Sequence, residues 1–299
     1  MTAWNADNEA TVSESGSVTV LEGSSFCISS GSGDISPDAG TNGAFYQDTR
    51  IVSRWVLRVN GSLREPLSAQ RPQPFQATFV GRAKWPGGRF DSPLVVRQVR
   101  HIGPGLQDDI TLENYAAEPV ECDIELQFGA AQADLFDVKG GRTSGADDTT
   151  RTVSGGRLVI EAGRHGQQRG SAIGARDAEV STDGLRFRVT VPARGKWATS
   201  VIVVPLVNGE APEEPFKEGQ LPHHREGVRR HLAWEEALPR ISIEDSGLQD
   251  LLNRSQSDLG ALRIFDAHHP ERAAVEQILE PGVRSEEHTS ELQSRQYLV

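Results

Sequence analysis

VECDIELQF, residues 120–128, decides the fold. Val120, Cys122, Ile124, Leu126 and Phe128 fall on one side of an extended chain, and Glu121, Asp123, Glu125 and Gln127 on the other. Successive side chains of a strand point to opposite faces, so this stretch reads as an antiparallel strand with one face on a core and one in water. Residues 185–191 repeat the pattern: Leu185, Phe187, Val189 and Val191 alternate with Arg186, Arg188 and Thr190. Weaker runs of the same kind predict strands at 18–21, 26–29, 54–59, 75–80, 94–101, 110–115, 157–161 and 197–205. Asn60-Gly61 closes the 54–59 run with two residues that tolerate positive φ, a hairpin signal. No helical stretch separates these strands, so a large antiparallel β-sandwich is expected over 17–209, with a polar surface loop at 140–156.

Beyond the strands the period changes. Residues 210–222 hold Pro212, Pro215 and Pro222 among acidic residues and read as a linker. A helix is predicted over 225–238, stopped by Pro239. Ser246 and Gln249 fit a capping box for a second helix, along which Leu248, Leu251, Leu252, Leu259 and Leu262 recur at helical spacing. The last stretch, 284–299, opens with RSEEHTSELQS, which resembles the in-frame translation of a sequencing adapter; natural sequence is expected to end near Val283.

Composition narrows the function classes. The chain has 299 residues, 36% hydrophobic and 24% charged, with 30 Gly and 16 Pro, which suits a turn-rich globular protein of one or two domains. A net charge of −11 argues against a nucleic-acid surface, since phosphate binding needs clustered Lys and Arg. The apolar run 201–207 is far short of the ~20 residues of a membrane helix. Residues 1–16 read as a disordered, polar tail without a secretory signal, so the expected compartment is the cytoplasm. Cys27 and Cys122 make no disulfide framework.

Several short motifs occur in order. Gly33-Asp34-Ile35, Gly43-Ala44-Phe45-Tyr46-Gln47-Asp48-Thr49-Arg50, Ser53-Arg54-Trp55 and Asn60-Gly61 are followed by Asn114-Tyr115 and Ala133-Asp134-Leu135-Phe136-Asp137-Val138-Lys139-Gly140. Ser257-Asp258-Leu259-Gly260-Ala261-Leu262-Arg263 comes after the linker. Together they resemble the N-terminal domain of bacterial glycogen-debranching enzymes, the amylo-α-1,6-glucosidase relatives, and the entry into that family's helical domain. The resemblance implies a β-sandwich attached to an (α/α)6 barrel whose general acid and base hydrolyse an α-glucosidic bond. It implies that residues 223–283 begin that barrel and that the chain departs from the family near Ala273, before the catalytic carboxylates. The chain alone is then expected to have no catalytic residue, metal or cofactor. Its partners would be its own barrel and, through the parent enzyme, an α-glucan or oligosaccharide, with no nucleic acid and no membrane. The alternative is a stand-alone carbohydrate-binding or purely structural β-sandwich module.

Glycoside hydrolysis needs two carboxylates roughly 5–10 Å apart. The sequence offers Asp34, Asp48, Asp108, Asp109, Asp134 and Asp137, all of which also suit turn chemistry. Asp48 and Arg50, two apart on a strand, would share a face and form a charge-assisted pair that holds sugar hydroxyls or anchors the sheet. Tyr46, Trp55 and Trp85 are the candidate surfaces for stacking on sugar. His223-His224 and His268-His269 lack a third ligand at metal spacing, and Gly103-Pro104-Gly105 lacks the Lys-Ser/Thr of a phosphate loop.

Overall fold

The computed structural model describes residues 16–37, 40–85, 92–141, 149–164, 166–212, 215–217 and 226–264. In chain order the strands begin with β1 (Val18–Glu22), β2 (Ser25–Ser29), β3 (Gly43–Tyr46), β4 (Thr49–Val52), β5 (Arg54–Val59) and β6 (Ser62–Leu63). There follow β7 (Glu65–Gln73), β8 (Gln76–Arg82), β9 (Leu94–Gly103), β10 (Gly105–Asn114), β11 (Val120–Gly129) and a short helix α1 (Leu135–Lys139). The last strands are β12 (Thr150–Ser154), β13 (Arg157–Arg164), β14 (Gln167–Ala175), β15 (Glu179–Ser181), β16 (Gly184–Val191) and β17 (Lys196–Val207). Helices α2 (Glu226–Ala237) and α3 (Ser246–Ala261) end the described chain.

The protein is mainly β, in three antiparallel sheets. The largest has the order β12-β13-β14-β17-β10-β9-β8-β7, the second β15-β16-β11-β5-β6, and β1 to β4 form a third. The deciding stretch 120–128 is β11, hydrogen-bonded on both sides to β5 and β16. Its apolar face enters one core cluster that joins all three sheets, with Trp55, Leu57, Ile124 and Phe128 facing Phe79, Leu94, Ile110 and Val201, and with Cys27 and Ala44 at one end. Each of the buried Val, Leu, Ile and Phe side chains contributes about 1.5–3 kcal/mol by leaving water. Phe187 and Trp197 bridge the two large sheets edge to face, with ring centroids 5.3 Å apart. A smaller cluster, built on the stacked pair Phe26–Phe45 at 4.5 Å, seats Leu135 and Val138 of α1 on the third sheet.

Turn chemistry fixes the registers. Asn60 and Gly61, at φ 53° and 74°, form the expected hairpin turn between β5 and β6. Gly103-Pro104-Gly105 is the β9–β10 turn, and Gly105 at φ 139° leaves no room for a side chain, since a Cβ there would lie 2.4 Å from the Val203 carbonyl oxygen.

The structure corrects two expectations, the loop at 140–156 and the cap of the second helix. Residues 150–154 of the supposed surface loop form β12, an edge strand with every residue exposed, so no buried face marks it in the sequence; residues 142–148 lie outside those described. Strand β7, with Pro66 and Pro72, is the opposite edge, where a missing N–H costs no ladder bond. The cap of α3 is Asp245 rather than Ser246: its side chain accepts from the Leu248 N–H at 2.9 Å. Gln249 closes no capping box with Ser246, because its Oε1 accepts instead from the Ile243 N–H at 2.8 Å. A carboxylate is the stronger acceptor and complements the positive end of the helix.

Candidate functional site

The stretches 43–50 and 133–140 meet in space. Arg50 N–H donates to the Ala133 carbonyl at 2.8 Å, Gln132 N–H to the Arg50 carbonyl at 3.2 Å, and Leu135 N–H to the Asp48 carbonyl at 2.9 Å. These bonds hold a strained turn between β3 and β4, in which Gln47 and Asp48 both have positive φ, 46° and 62°. Asp134 caps α1 by accepting from the Phe136 N–H at 2.7 Å, and the Phe136 ring stays 48% exposed. The turn takes Asp48 off the strand face it would share with Arg50, so the expected same-face pair is not formed. Arg50 is 1% exposed, and its Nε and Nη2 have no hydrogen-bond partner. Burial holds that guanidinium below its ordinary range.

Trp55 requires a second correction. It is 0% exposed, edge-on to Phe128 at 6.3 Å and beneath the Arg100 guanidinium at 5.4 Å, so it offers no face to a sugar. Tyr46 and Trp85 are half-buried against the same core. Residues 86–88, beside Trp85, lie outside those described, as do both histidine pairs, the tail 1–15 and the segment 284–299.

Of the carboxylates offered for acid–base chemistry, Asp34, Asp108 and Asp134 are occupied in holding the fold. Arg100 grips Asp108 with two bonds, Nε to Oδ1 at 2.9 Å and Nη2 to Oδ2 at 2.7 Å, both side chains wholly buried. Gln98 donates to the same carboxylate, and Arg100 Nη1 lies 3.7 Å from Cys27 Sγ. Burial alone would lower the Arg100 pKa, but Asp108 beside it holds it above its ordinary value. Burial pushes the Cys27 thiol up to about 11, against the opposing pull of Arg100. Asp34 accepts from Leu57 N–H at 3.2 Å, Ser32 Oγ at 2.9 Å and Arg64 Nη2 at 3.3 Å, tying its loop to β5. Asp108 and Asp109, adjacent on a strand, point to opposite faces and cannot flank one bond.

The helices are clamped to the sandwich at one end. Arg71 of β7 donates to both carboxylate oxygens of Asp258 in α3, at 2.8 and 3.0 Å, and Gly23 N–H donates to the Ala261 carbonyl at 2.9 Å. Phe75 meets His231 of α2 edge to face at 5.3 Å. A small cleft lies at this junction between Glu22, Phe75, Arg230, His231 and Arg263. Away from the clamp, Leu232, Leu248, Leu251 and Leu259 are 50%, 54%, 62% and 59% exposed. Leu248, Leu251 and Leu259 of the predicted stripe therefore face water, while Leu252 and Leu262 are half-buried.

Two exposed aromatics, Phe136 and Tyr115, lie outside the residues that the sequence singled out for stacking; the latter is 64% exposed. Their signal was their place within the ordered motifs rather than any spacing of chemistry-bearing residues. Among the described residues no group of three or more His, Cys, Asp or Glu is placed to hold a metal, and no helix is long and apolar enough to cross a membrane.

Residues 20–201 match the family described as the N-terminal domain of (some) glycogen debranching enzymes. No curated protein matches the chain. Among solved structures, a galactose mutarotase-like protein from Clostridium acetobutylicum is a loose likeness, with a TM-score of 0.25 and 6% identity over 49% of this chain and 67% of that one.

Proposed function

We infer the function from one premise: the chain belongs to the family of N-terminal domains of glycogen debranching enzymes. We propose that it is the accessory β-sandwich of a cytoplasmic glycogen-debranching-like α-glucosidase, with α2 and α3 as the first elements of an (α/α)6 barrel that carries the catalytic carboxylates. The observation that carries this reading is the helical segment. The Arg71–Asp258 fork and the Gly23–Ala261 bond fix α3 to the sandwich, yet Leu248, Leu251 and Leu259 remain in water. An apolar stripe at helical spacing on a fixed element is a surface made for further helices. Within this reading the sandwich sets the orientation of the barrel and adds no acid or base of its own, since Asp34, Asp108 and Asp134 are spent on structure.

The test is to express the chain joined to the coding sequence that follows residue 273 in the genome, beside the 299-residue chain, and to assay both on an α-1,6-branched glucan. The longer protein is expected to hydrolyse it and the shorter one to release nothing. Turnover by the shorter chain, or none by the longer, would overturn the reading.

A further inference from the structure

The face of the eight-stranded sheet turned away from the core carries an ordered polar row. Leu106, Ile110 and Leu112 of β10 enter the core, which leaves Gln107, Asp109, Thr111 and Glu113 on the opposite face. Register sets Val99 and Ser200 on either side of Asp109, and Arg97 opposite Thr111. Asp109 Oδ1 accepts from Ser200 Oγ at 2.6 Å and from Gln107 Nε2 at 2.8 Å, while Oδ2 lies 3.6 Å from His101 Nε2. Three neighbouring strands thus orient one carboxylate, whose side chain is still 38% exposed.

The row ends in an aromatic platform. Tyr115 continues the parity of Asp109 and Glu113, its N–H bonds to the Pro93 carbonyl at 3.0 Å, and its hydroxyl donates to Glu113 Oε2 at 2.5 Å. The ring is tethered at both ends and 64% exposed. Arg97 is near enough for its charge to act on the Tyr115 hydroxyl. From Asp109 to Tyr115 the strand runs about 20 Å.

We propose that this face is a binding track for an α-glucan chain, with Tyr115 stacking on the apolar side of one pyranose and Asp109 accepting from the hydroxyls of another. The chemistry selects a sugar polymer. A carboxylate and a guanidinium suit hydroxyls, a fixed tyrosine ring suits the C–H face of a pyranose, and an open row about 20 Å long suits an extended ligand rather than a small one. A polyphosphate or nucleic acid would meet Asp109 and Glu113 as like charges. This inference rests on the carbohydrate reading given under the proposed function and adds to it the place of contact.

The experiment measures retardation of the 299-residue chain in native gels containing glycogen, and its affinity for maltoheptaose by calorimetry. Tyr115→Ala and Asp109→Asn are compared with Phe136→Ala, an exposed aromatic away from the row. Binding by the unaltered chain is expected to weaken about tenfold in Tyr115→Ala, a loss typical of an aromatic anchor, and several-fold in Asp109→Asn, with Phe136→Ala unchanged. All three side chains are exposed enough for the variants to fold, which circular dichroism and thermal melting check. Equal affinity in the unaltered, Tyr115→Ala and Asp109→Asn chains would overturn the track while leaving the accessory-domain reading intact. Absence of binding by the unaltered chain would overturn it too, and hydrolysis by the barrel-extended chain decides separately whether that wider reading stands.

Discussion

The β-sandwich and the helical segment use their apolar residues in opposite ways. In the sandwich, strands from three sheets bury one continuous cluster, and Arg100 and Asp108 inside it are paired with each other. In α2 and α3 the buried residues are His231, Gly260 and Ala261, while Leu232, Leu248, Leu251 and Leu259 are exposed. A sheet pair can close its own core; two helices on an edge cannot. The contrast separates a unit that buries its apolar side chains from one that leaves leucines of both helices exposed.

The largest effect should come from breaking the interior charge pair. Asp108→Ala leaves Arg100 buried without its counter-ion and is expected to cost about 3–5 kcal/mol, a large part of a domain's stability. Urea titration checks it, and an unchanged midpoint would show that the sandwich does not depend on the pair. Trp55→Ala, which empties the largest fully buried side chain, should cost a similar ~3–5 kcal/mol in the same assay. Loss of sugar affinity without loss of stability would instead return Trp55 to the surface.

Smaller effects belong to the junction. Asp258→Asn removes one side of the Arg71 fork, a partly exposed pair, and should cost about 1 kcal/mol. Hydrogen exchange should speed up in α2 and α3 and not in β10 or β11. Leu251→Gln should change the stability of this chain by less than about 0.5 kcal/mol, as for any exposed site, yet destabilise a longer chain in which the stripe is covered. Equal effects in both would remove the contrast. The smallest change concerns Asp123, whose carboxyl is held below its ordinary value by the hydrogen bonds from Arg186. A depressed carboxylate stabilises the fold fully above its unfolded pKa of about 3.9, and that stabilisation fades as pH falls through the lower folded value. Asp123→Asn should therefore lower the melting temperature slightly at about pH 7, and by less as the pH is taken down below about 3.9.

The site was less legible than the fold. Alternation marked β11 and β16 because each has one wet and one dry face. Strand β12 has no dry face, and β14 carries Gly170 and Gly174 where side chains of neighbouring strands cross it, so neither shows a period. Asp48 and Arg50 looked like partners because sequence spacing assumes a continuing strand, and the turn at Gln47-Asp48 breaks that assumption. Trp55 looked like a sugar platform because an aromatic in a motif carries no label of depth.

By itself the sequence determined a mainly antiparallel β protein with helices after a Pro-rich segment, and the order of its family motifs. Period-2 patterning is a local property of which faces are wet, so it can be read residue by residue. Only the tertiary structure decided that residues 43–50 and 133–140 share a corner, that Arg100 and Asp108 are sealed inside, and that Asp109 and Tyr115 line the outer face. Which strands become neighbours, and which side of a sheet is covered, depends on contacts between distant segments, and no local pattern records those.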